Sequence, residues 1–140
     1  MKSAMLSMAL ACATVGAAAA APFAGVPEPL GGSLGMHQVK EATWKNGVLR
    51  VQLQKAEVSE LVYYTFIYHG ICAEQWHKPE AFNKMGLTRT EVLDATGAKG
   101  FAFDGDAAVC AEMGSMGKRF GNFIGERTSK CEAGACAKRK

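Results

Sequence analysis

Residues 44–53 read WKNGVLRVQL, and this stretch contains the clearest fold signal in the chain. Asn46 and Gly47 are residue types that accept the positive φ angles of a two-residue hairpin turn. After the turn, apolar and polar side chains alternate from Leu49 to Leu53, which is the period of a strand with one buried face. The stretch therefore predicts a β-hairpin.

A second hairpin is predicted further along the chain. Its strands are Thr88–Asp94 and Gly100–Phe103, and residues 95–99 join them. Gly97 lies in the middle of this connection, where a left-handed backbone conformation is expected. Two hairpins of this kind favour an antiparallel sheet.

The apolar run Leu61–Ile71 reads LVYYTFIYHGI and is dominated by aromatic and β-branched residues. This composition favours a central strand that is covered on both faces. The alternative is a helix that starts at Ala56, because Lys55–Glu60 contains good helix formers and apolar side chains then recur at helical spacing. Of the two, we expect the strand.

Three further segments complete the predicted fold. Pro79–Met85 forms a short helix opened by its proline, and Asp104 or Asp106 caps a second helix that runs to Met113. Arg119–Thr128 forms a bent strand, because its glycines disfavour a helix in water. The sequence thus predicts an α+β domain in which one or two helices cover one face of an antiparallel sheet of about five strands.

Residues 1–21 predict an export signal that is removed by cleavage. Lys2 is followed by the apolar run Ala4–Val15, and small residues fill Ala17–Ala21, as in secretory signals. Cleavage also removes Cys12, and two alternatives are an uncleaved membrane anchor and a lipid attached to this cysteine. After cleavage, we expect no membrane span and a location in the periplasm or outside the cell.

Four cysteines remain after cleavage, and they allow three disulfide connectivities. We favour Cys72–Cys110 and Cys131–Cys136, because the short loop of the second pair contains Gly134 and can close tightly. Loop closure predicts a stabilisation of about 4 kcal/mol for the first bond and about 2 kcal/mol for the second. The sequence therefore predicts a domain stapled by two disulfides, as is common in oxidising compartments.

The composition of the chain after the export signal indicates a linker, a domain and a tail. Residues 22–35 are rich in proline and glycine, which predicts an extended linker. A single globular domain at 36–136 follows the linker, and residues 137–140 form a basic tail.

Positive charge is concentrated near the C-terminus, where Lys118–Lys140 contains seven basic and two acidic residues. Such a surface attracts an acidic protein or another polyanion, and a solvated terminus that aids solubility is the alternative. Aromatic residues and arginine often anchor interfaces. The candidate binding residues are Lys118, Arg119, Arg127, Lys130, Lys138, Arg139, Lys140, Trp44, Trp76 and Tyr68.

No motif in the chain specifies a reaction. Gly31–Gly35 spells the GxSxG pattern, but it lies in the predicted linker of a chain too short for an α/β-hydrolase sheet. His69, Cys72 and His77 could bind a metal only if Cys72 were reduced, which conflicts with a disulfide. The chain also lacks a phosphate-binding loop, a dinucleotide fingerprint and an HExxH motif.

These observations predict an exported, disulfide-stabilised protein that binds a partner and is not an enzyme. We assign it no catalytic residue, no metal ligand and no cofactor, and we expect no binding to nucleic acid. Two alternatives stay open. One is a small secreted hydrolase or metal-binding protein that uses His69, Glu74 and His77, and the other is an envelope-anchored structural protein.

Overall fold

The computed structural model describes residues 23–139. The predicted export signal, Cys12 and Lys140 lie outside these residues. The helices are α1 (Glu28–Gly35), α2 (Glu60–Thr65), α3 (Ala73–His77), α4 (Pro79–Met85), α5 (Ala107–Met113) and α6 (Phe120–Gly125), with a π-helical segment at Phe66–Cys72 and a 3₁₀ turn at Gly117–Arg119. The strands are β1 (Val39–Lys45), β2 (Val48–Leu53), β3 (Arg89–Leu93), β4 (Gly100–Asp104), β5 (Thr128–Glu132) and β6 (Ala135–Cys136).

The six strands form one curled sheet in sequence order, from β1 to β6. Neighbouring strands are antiparallel except β2 and β3, which are parallel. Parallel neighbours need a long crossover, and the helices from α2 to α4 supply it. The predicted α+β class is confirmed, although the sheet contains this one parallel pair and the helical layer is larger than the one or two helices predicted.

Both predicted hairpins are present. The β1–β2 turn has positive φ angles at Asn46 and Gly47, of 51° and 78°. Gly97 has a φ of 73° in the connection between β3 and β4. These turns were predictable because the required backbone conformation selects the residue types locally.

The prediction of a central strand at Leu61–Ile71 is wrong, because this run is helical. Ser59 caps α2 by accepting a hydrogen bond from the backbone N–H of Val62 at 3.2 Å. The helix starts at Glu60, later than the helical alternative placed it, and continues through the π-helical segment into α3. The run buries its side chains at helical spacing, and this packing overrides the intrinsic strand preference of its residues.

The bent strand predicted at Arg119–Thr128 is also wrong. The 3₁₀ turn and α6 occupy most of this segment, and β5 begins only at Thr128. Gly121 and Gly125 lie one helical turn apart and face Tyr64 of α2. A Cβ at Gly125 would lie 3.2 Å from the Tyr64 hydroxyl oxygen, so the glycine allows the close approach that offsets its low helix propensity.

The extended linker predicted for residues 22–35 is wrong over α1. Proline precedes this helix and lies within its first turn, where the missing N–H costs nothing. Leu30 and Leu34 have no exposed surface and belong to the main core. Burial of these two leucines offsets the low helix propensity of the glycines between them.

The main core lies between the helical layer and one face of the sheet. Val92 and Phe103 point into it from β3 and β4, and their neighbours Leu93 and Ala102 belong to a second, smaller cluster with Cys131. Adjacent strand residues face opposite sides of a sheet, so the second cluster lies on the outer face. Within residues 23–139, no helix is long and apolar enough to cross a membrane.

Both predicted disulfides are present. Cys72 ends the π-helical segment and bonds to Cys110 of α5, so the first bond joins two helices rather than a helix and a strand end. Cys131 and Cys136 join β5 to β6 across a sequence separation of 5. Asp106, one of the two residues predicted to cap α5, accepts a hydrogen bond from the Val109 N–H at 3.0 Å.

Candidate functional site

An apolar groove of about 400 Å³ lies between the α1–β1 connection and the start of α2. We call it the Met36–Leu61 groove. It is lined by Met36, His37, Gln38, Leu53, Lys55, Leu61, Val62, Thr65 and Phe66.

Two exposed apolar side chains contribute to this groove from different segments. Met36 is 76% exposed and Leu61 is 75% exposed, and they are the large hydrophobic residues left exposed among residues 23–139. Leu53 and Phe66 are buried and belong to the main core. Folding thus leaves unburied apolar surface beside the core at one location, which is typical of a binding site.

The backbone around the groove departs from regular geometry on both sides. Gln38 has a φ of 56°, a conformation that residues other than glycine rarely adopt. Its carbonyl oxygen accepts a hydrogen bond from the Gln54 N–H at 2.8 Å, which holds the connection against the end of β2. On the other side, Phe66 begins the π-helical segment. Both kinds of irregularity occur often at functional sites.

His37 contributes an imidazole to the groove, which is also lined by Lys55. Its ring contacts Phe66 edge-on, with ring centroids 5.8 Å apart. Burial lowers the pKa of His37 from the ordinary value of 6.5, electrostatic interaction with His69 lowers it further, and Glu74 acts in the opposite direction. The groove therefore presents a neutral imidazole at neutral pH.

Gly70 lies beside the rings of His37 and Phe66. A Cβ at Gly70 would lie 3.4 Å from Cδ2 of His37 and 3.4 Å from the Phe66 ring. The carbonyl oxygen of Gly70 also accepts a hydrogen bond from the Ser33 hydroxyl at 2.8 Å. The π-helical segment thus holds α1 through Ser33 and lies against the ring of His37.

The predicted basic binding residues do not form one surface. Arg119 and Arg127 line a cavity of about 390 Å³ beside α6, and Lys130 lines another of about 490 Å³ beside β5. Lys138 and Arg139 line a third cavity, of about 640 Å³, on the outer face of the sheet. Lys118 is exposed on the 3₁₀ turn before α6.

Arg127 is partly engaged within the fold. Its guanidinium lies 3.8 Å from the centre of the Phe123 ring, and it donates a hydrogen bond to the Phe123 carbonyl oxygen at 3.1 Å. A carboxylate oxygen of Glu126 lies 3.7 Å away. Binding an external anion would compete with these contacts.

The predicted aromatic binding residues lie away from the groove and are half-buried. Tyr68 packs against Trp76 with ring centroids 4.8 Å apart and against Phe120 at 4.3 Å. The Trp76 Nε1–H donates to the Cys110 carbonyl oxygen at 2.7 Å, and Trp44 packs against the main core from β1. The rings of Tyr68 and Trp76 hold helices together around the first disulfide.

The residues of the hydrolase or metal alternative are not assembled into a site. His69 and His77 are both exposed, and no hydrogen bond or ion pair within residues 23–139 joins either of them to Glu74. In the described part of the chain, no group of three histidine, cysteine or acidic side chains could hold a metal ion. Ser33 of the GxSxG pattern is buried on α1 with its hydroxyl engaged by Gly70.

The groove was not predicted from the sequence. Met36 and Leu61 are ordinary apolar residues in the sequence, and their exposure depends on α1 and α2 being helices, whereas a linker and a strand were predicted there. The positive φ at Gln38 has no signature in its residue type. Comparison with known proteins adds no assignment, since no protein family, curated protein or solved structure matches this chain.

Proposed function

We propose that this chain is an exported, non-enzymatic binding protein that holds an apolar segment of an acidic partner protein in the Met36–Leu61 groove. The exposure of Met36 and Leu61 beside the same groove supports this proposal most strongly. The two disulfides support an oxidising, exported environment.

The groove has the size and character of a binding site. Its volume of about 400 Å³ lies within the range of ordinary ligand pockets. Burying one exposed leucine side chain stabilises a complex by about 1.5–3 kcal/mol. Two such anchors from opposite segments contribute about 3–6 kcal/mol, which corresponds to a weak complex with a Kd between millimolar and tens of micromolar.

One positive charge in the groove favours an acidic group in the partner. Lys55 contributes this charge to the lining of the groove. A carboxylate placed beside the apolar anchors of a bound segment would meet the Lys55 ammonium. The basic surfaces elsewhere on the molecule would add long-range attraction without contacting the groove.

The export part of the proposal is tested by an intact mass of the protein recovered from the exported fraction, with alkylation before and after reduction. We expect a chain that begins near Pro22, carries two disulfides and contains no free thiol. A retained leader, or a lipid mass on Cys12, would contradict cleavage and support attachment to a membrane.

The binding part is tested with a random seven-residue peptide library displayed on phage and selected on the exported protein. We expect selected peptides to contain two apolar side chains and an acidic one. Leu61→Ser is expected to weaken the selected peptide by about ten-fold or more in calorimetry, because it removes one apolar anchor.

Glu60→Gln is the matched control, since Glu60 precedes Leu61 on the same helix but does not line the groove. It should leave the affinity of the peptide within about two-fold. Equal binding to wild type and to Leu61→Ser would contradict the groove as the site. Loss of binding only in Lys118→Ala or Arg119→Ala would move the site to the basic residues beside α6.

A further inference from the structure

We propose that the Cys131–Cys136 disulfide is a selective site of thiol–disulfide exchange that latches the C-terminal hairpin over the outer face of the sheet. We call residues 128–137 the C-terminal strap. This inference concerns a different surface from the Met36–Leu61 groove and does not depend on partner binding there.

The two disulfides differ in their access to solvent. Cys72 and Cys110 have no exposed surface and belong to the main core. Cys131 is 2% exposed, but Cys136 is only partly buried at the edge of the small outer cluster. A dissolved thiol can therefore reach the sulfur of Cys136 and is excluded from the first disulfide, and access is one determinant of exchange rate.

The strap begins with β5, which pairs with β4 in the sheet, and two arginines hold the part of the strap that follows β5. Arg50 of β2 donates from Nη2 to the Gly134 carbonyl oxygen at 2.6 Å, and Arg89 of β3 donates from Nη2 to the Ala137 carbonyl oxygen at 2.6 Å. The Gly134 acceptor lies within the loop that the disulfide closes, and the Ala137 acceptor directly follows that loop. Their positions consequently depend on the bond between Cys131 and Cys136.

The same arginines belong to an ion-pair network under the strap. Arg50 pairs with Glu91 at 2.6 Å, and Arg89 pairs with Asp104 at 2.6 Å. The side chains of these two pairs are between 13% and 32% exposed. The strap therefore shields their charged groups, and release of the strap would expose these groups to water. Opening the strap therefore exposes a charged stripe that is covered in the oxidised protein.

Basic residues outnumber acidic ones around the exchangeable sulfur. Lys138, Arg139 and Arg89 line the same cavity as Cys136, together with Glu91 and Asp104, which pair with Arg89. Cationic neighbours favour the thiolate form of a cysteine. They therefore favour Cys136 as the thiolate once the bond has been reduced.

The exchange needs an external dithiol. One thiolate of the dithiol attacks the sulfur of Cys136, the bond to Cys131 breaks, and the sulfur of Cys131 leaves as a thiolate that takes up a proton. The second thiolate of the dithiol then attacks the dithiol sulfur that is bonded to Cys136. This closes a ring in the reagent and releases the Cys136 thiolate. Two electrons pass to the protein, and the dithiol becomes a cyclic disulfide.

The test is timed reduction of the full exported protein by dithiothreitol without denaturant, followed by alkylation and peptide mass mapping. We expect Cys131 and Cys136 to be labelled about ten-fold faster than Cys72 and Cys110, or more, because of the difference in access. Equal labelling rates, or faster labelling of the first pair, would overturn the proposal.

The latch is tested separately by amide hydrogen exchange. The Gly134 N–H donates to the Ala98 carbonyl oxygen, and the Ala137 N–H donates to that of Lys130. Both amides should exchange faster after selective reduction and in a Cys131→Ser, Cys136→Ser variant, while amides of the main core stay protected. If the hydrogen-exchange rates of both amides are unchanged, the bond is reducible but does not hold the strap in place. This result also overturns the proposal.

Discussion

Replacing Cys72 and Cys110 together with alanine is expected to lower the free energy of unfolding by about 4 kcal/mol. The bond spans a sequence separation of 38 and joins the π-helical segment to α5 inside the main core. Without the bond, a long loop of the unfolded chain is no longer closed. In the folded chain, two small alanine side chains replace the bonded cysteines. Equilibrium unfolding in urea at neutral pH measures the change.

The matched control for this prediction is the second disulfide. Replacing Cys131 and Cys136 with alanine should cost about 2 kcal/mol, because the closed loop is short. This comparison also distinguishes the disulfide that stabilises the core, Cys72–Cys110, from the disulfide that exchanges with thiols, Cys131–Cys136. A larger loss from the second pair would contradict the assignment of Cys72–Cys110 as the staple of the core.

Leu34→Ala is expected to lower the free energy of unfolding by about 3 kcal/mol, because it leaves a cavity in the core. Leu34 has no exposed surface, and it lies in a segment whose composition resembles a linker. If that segment were extended and solvated, the substitution would change stability by less than about 0.5 kcal/mol. Thermal or urea unfolding distinguishes the two outcomes.

Gly32→Ala provides the control within the same helix. Gly32 is exposed, and a Cβ built there has no atom within 4 Å. Alanine should stabilise α1 by up to about 1 kcal/mol, because it reduces the freedom of the unfolded chain. Destabilisation by this variant, together with a neutral Leu34→Ala, would contradict the helix.

The parts of the fold that were predictable depend on local chemistry. Asn46 and Gly47 specify a hairpin turn by themselves, and Pro79 and Asp106 mark helix starts through the backbone groups that they remove or satisfy. The disulfide pairing was also predictable, because Cys131 and its partner are close in sequence and only one pairing remains for the other two.

The parts that were not predictable depend on tertiary contacts. Leu61–Ile71 has strand-forming residues, but its apolar side chains also suit a helix, and only the surrounding core decides between them. The glycines of α1 favoured a linker and those of α6 a bent strand, but Leu34 is buried and Tyr64 packs against Gly125 in the folded chain. In each case burial outweighs a local propensity of at most about 1 kcal/mol per residue.

The candidate site also depends on tertiary contacts rather than on local residue types. Aromatic and basic residues stood out in the sequence, but Trp76 is engaged by a backbone carbonyl and the basic residues are divided among separate surfaces. Met36 and Leu61 carry no functional signature on their own. Their significance comes from exposure, which is set by the helices on either side of the groove.

The central claim is that the Met36–Leu61 groove binds a partner segment, and an NMR titration tests it most directly. The exported protein, labelled with ¹⁵N, is titrated with the selected acidic peptide while backbone amide shifts are followed. We predict saturable shifts that are largest at Met36–Gln38 and Leu61–Phe66. Shifts confined to the basic residues of 118–127 or 138–139, or no saturable shift at all, would contradict the claim.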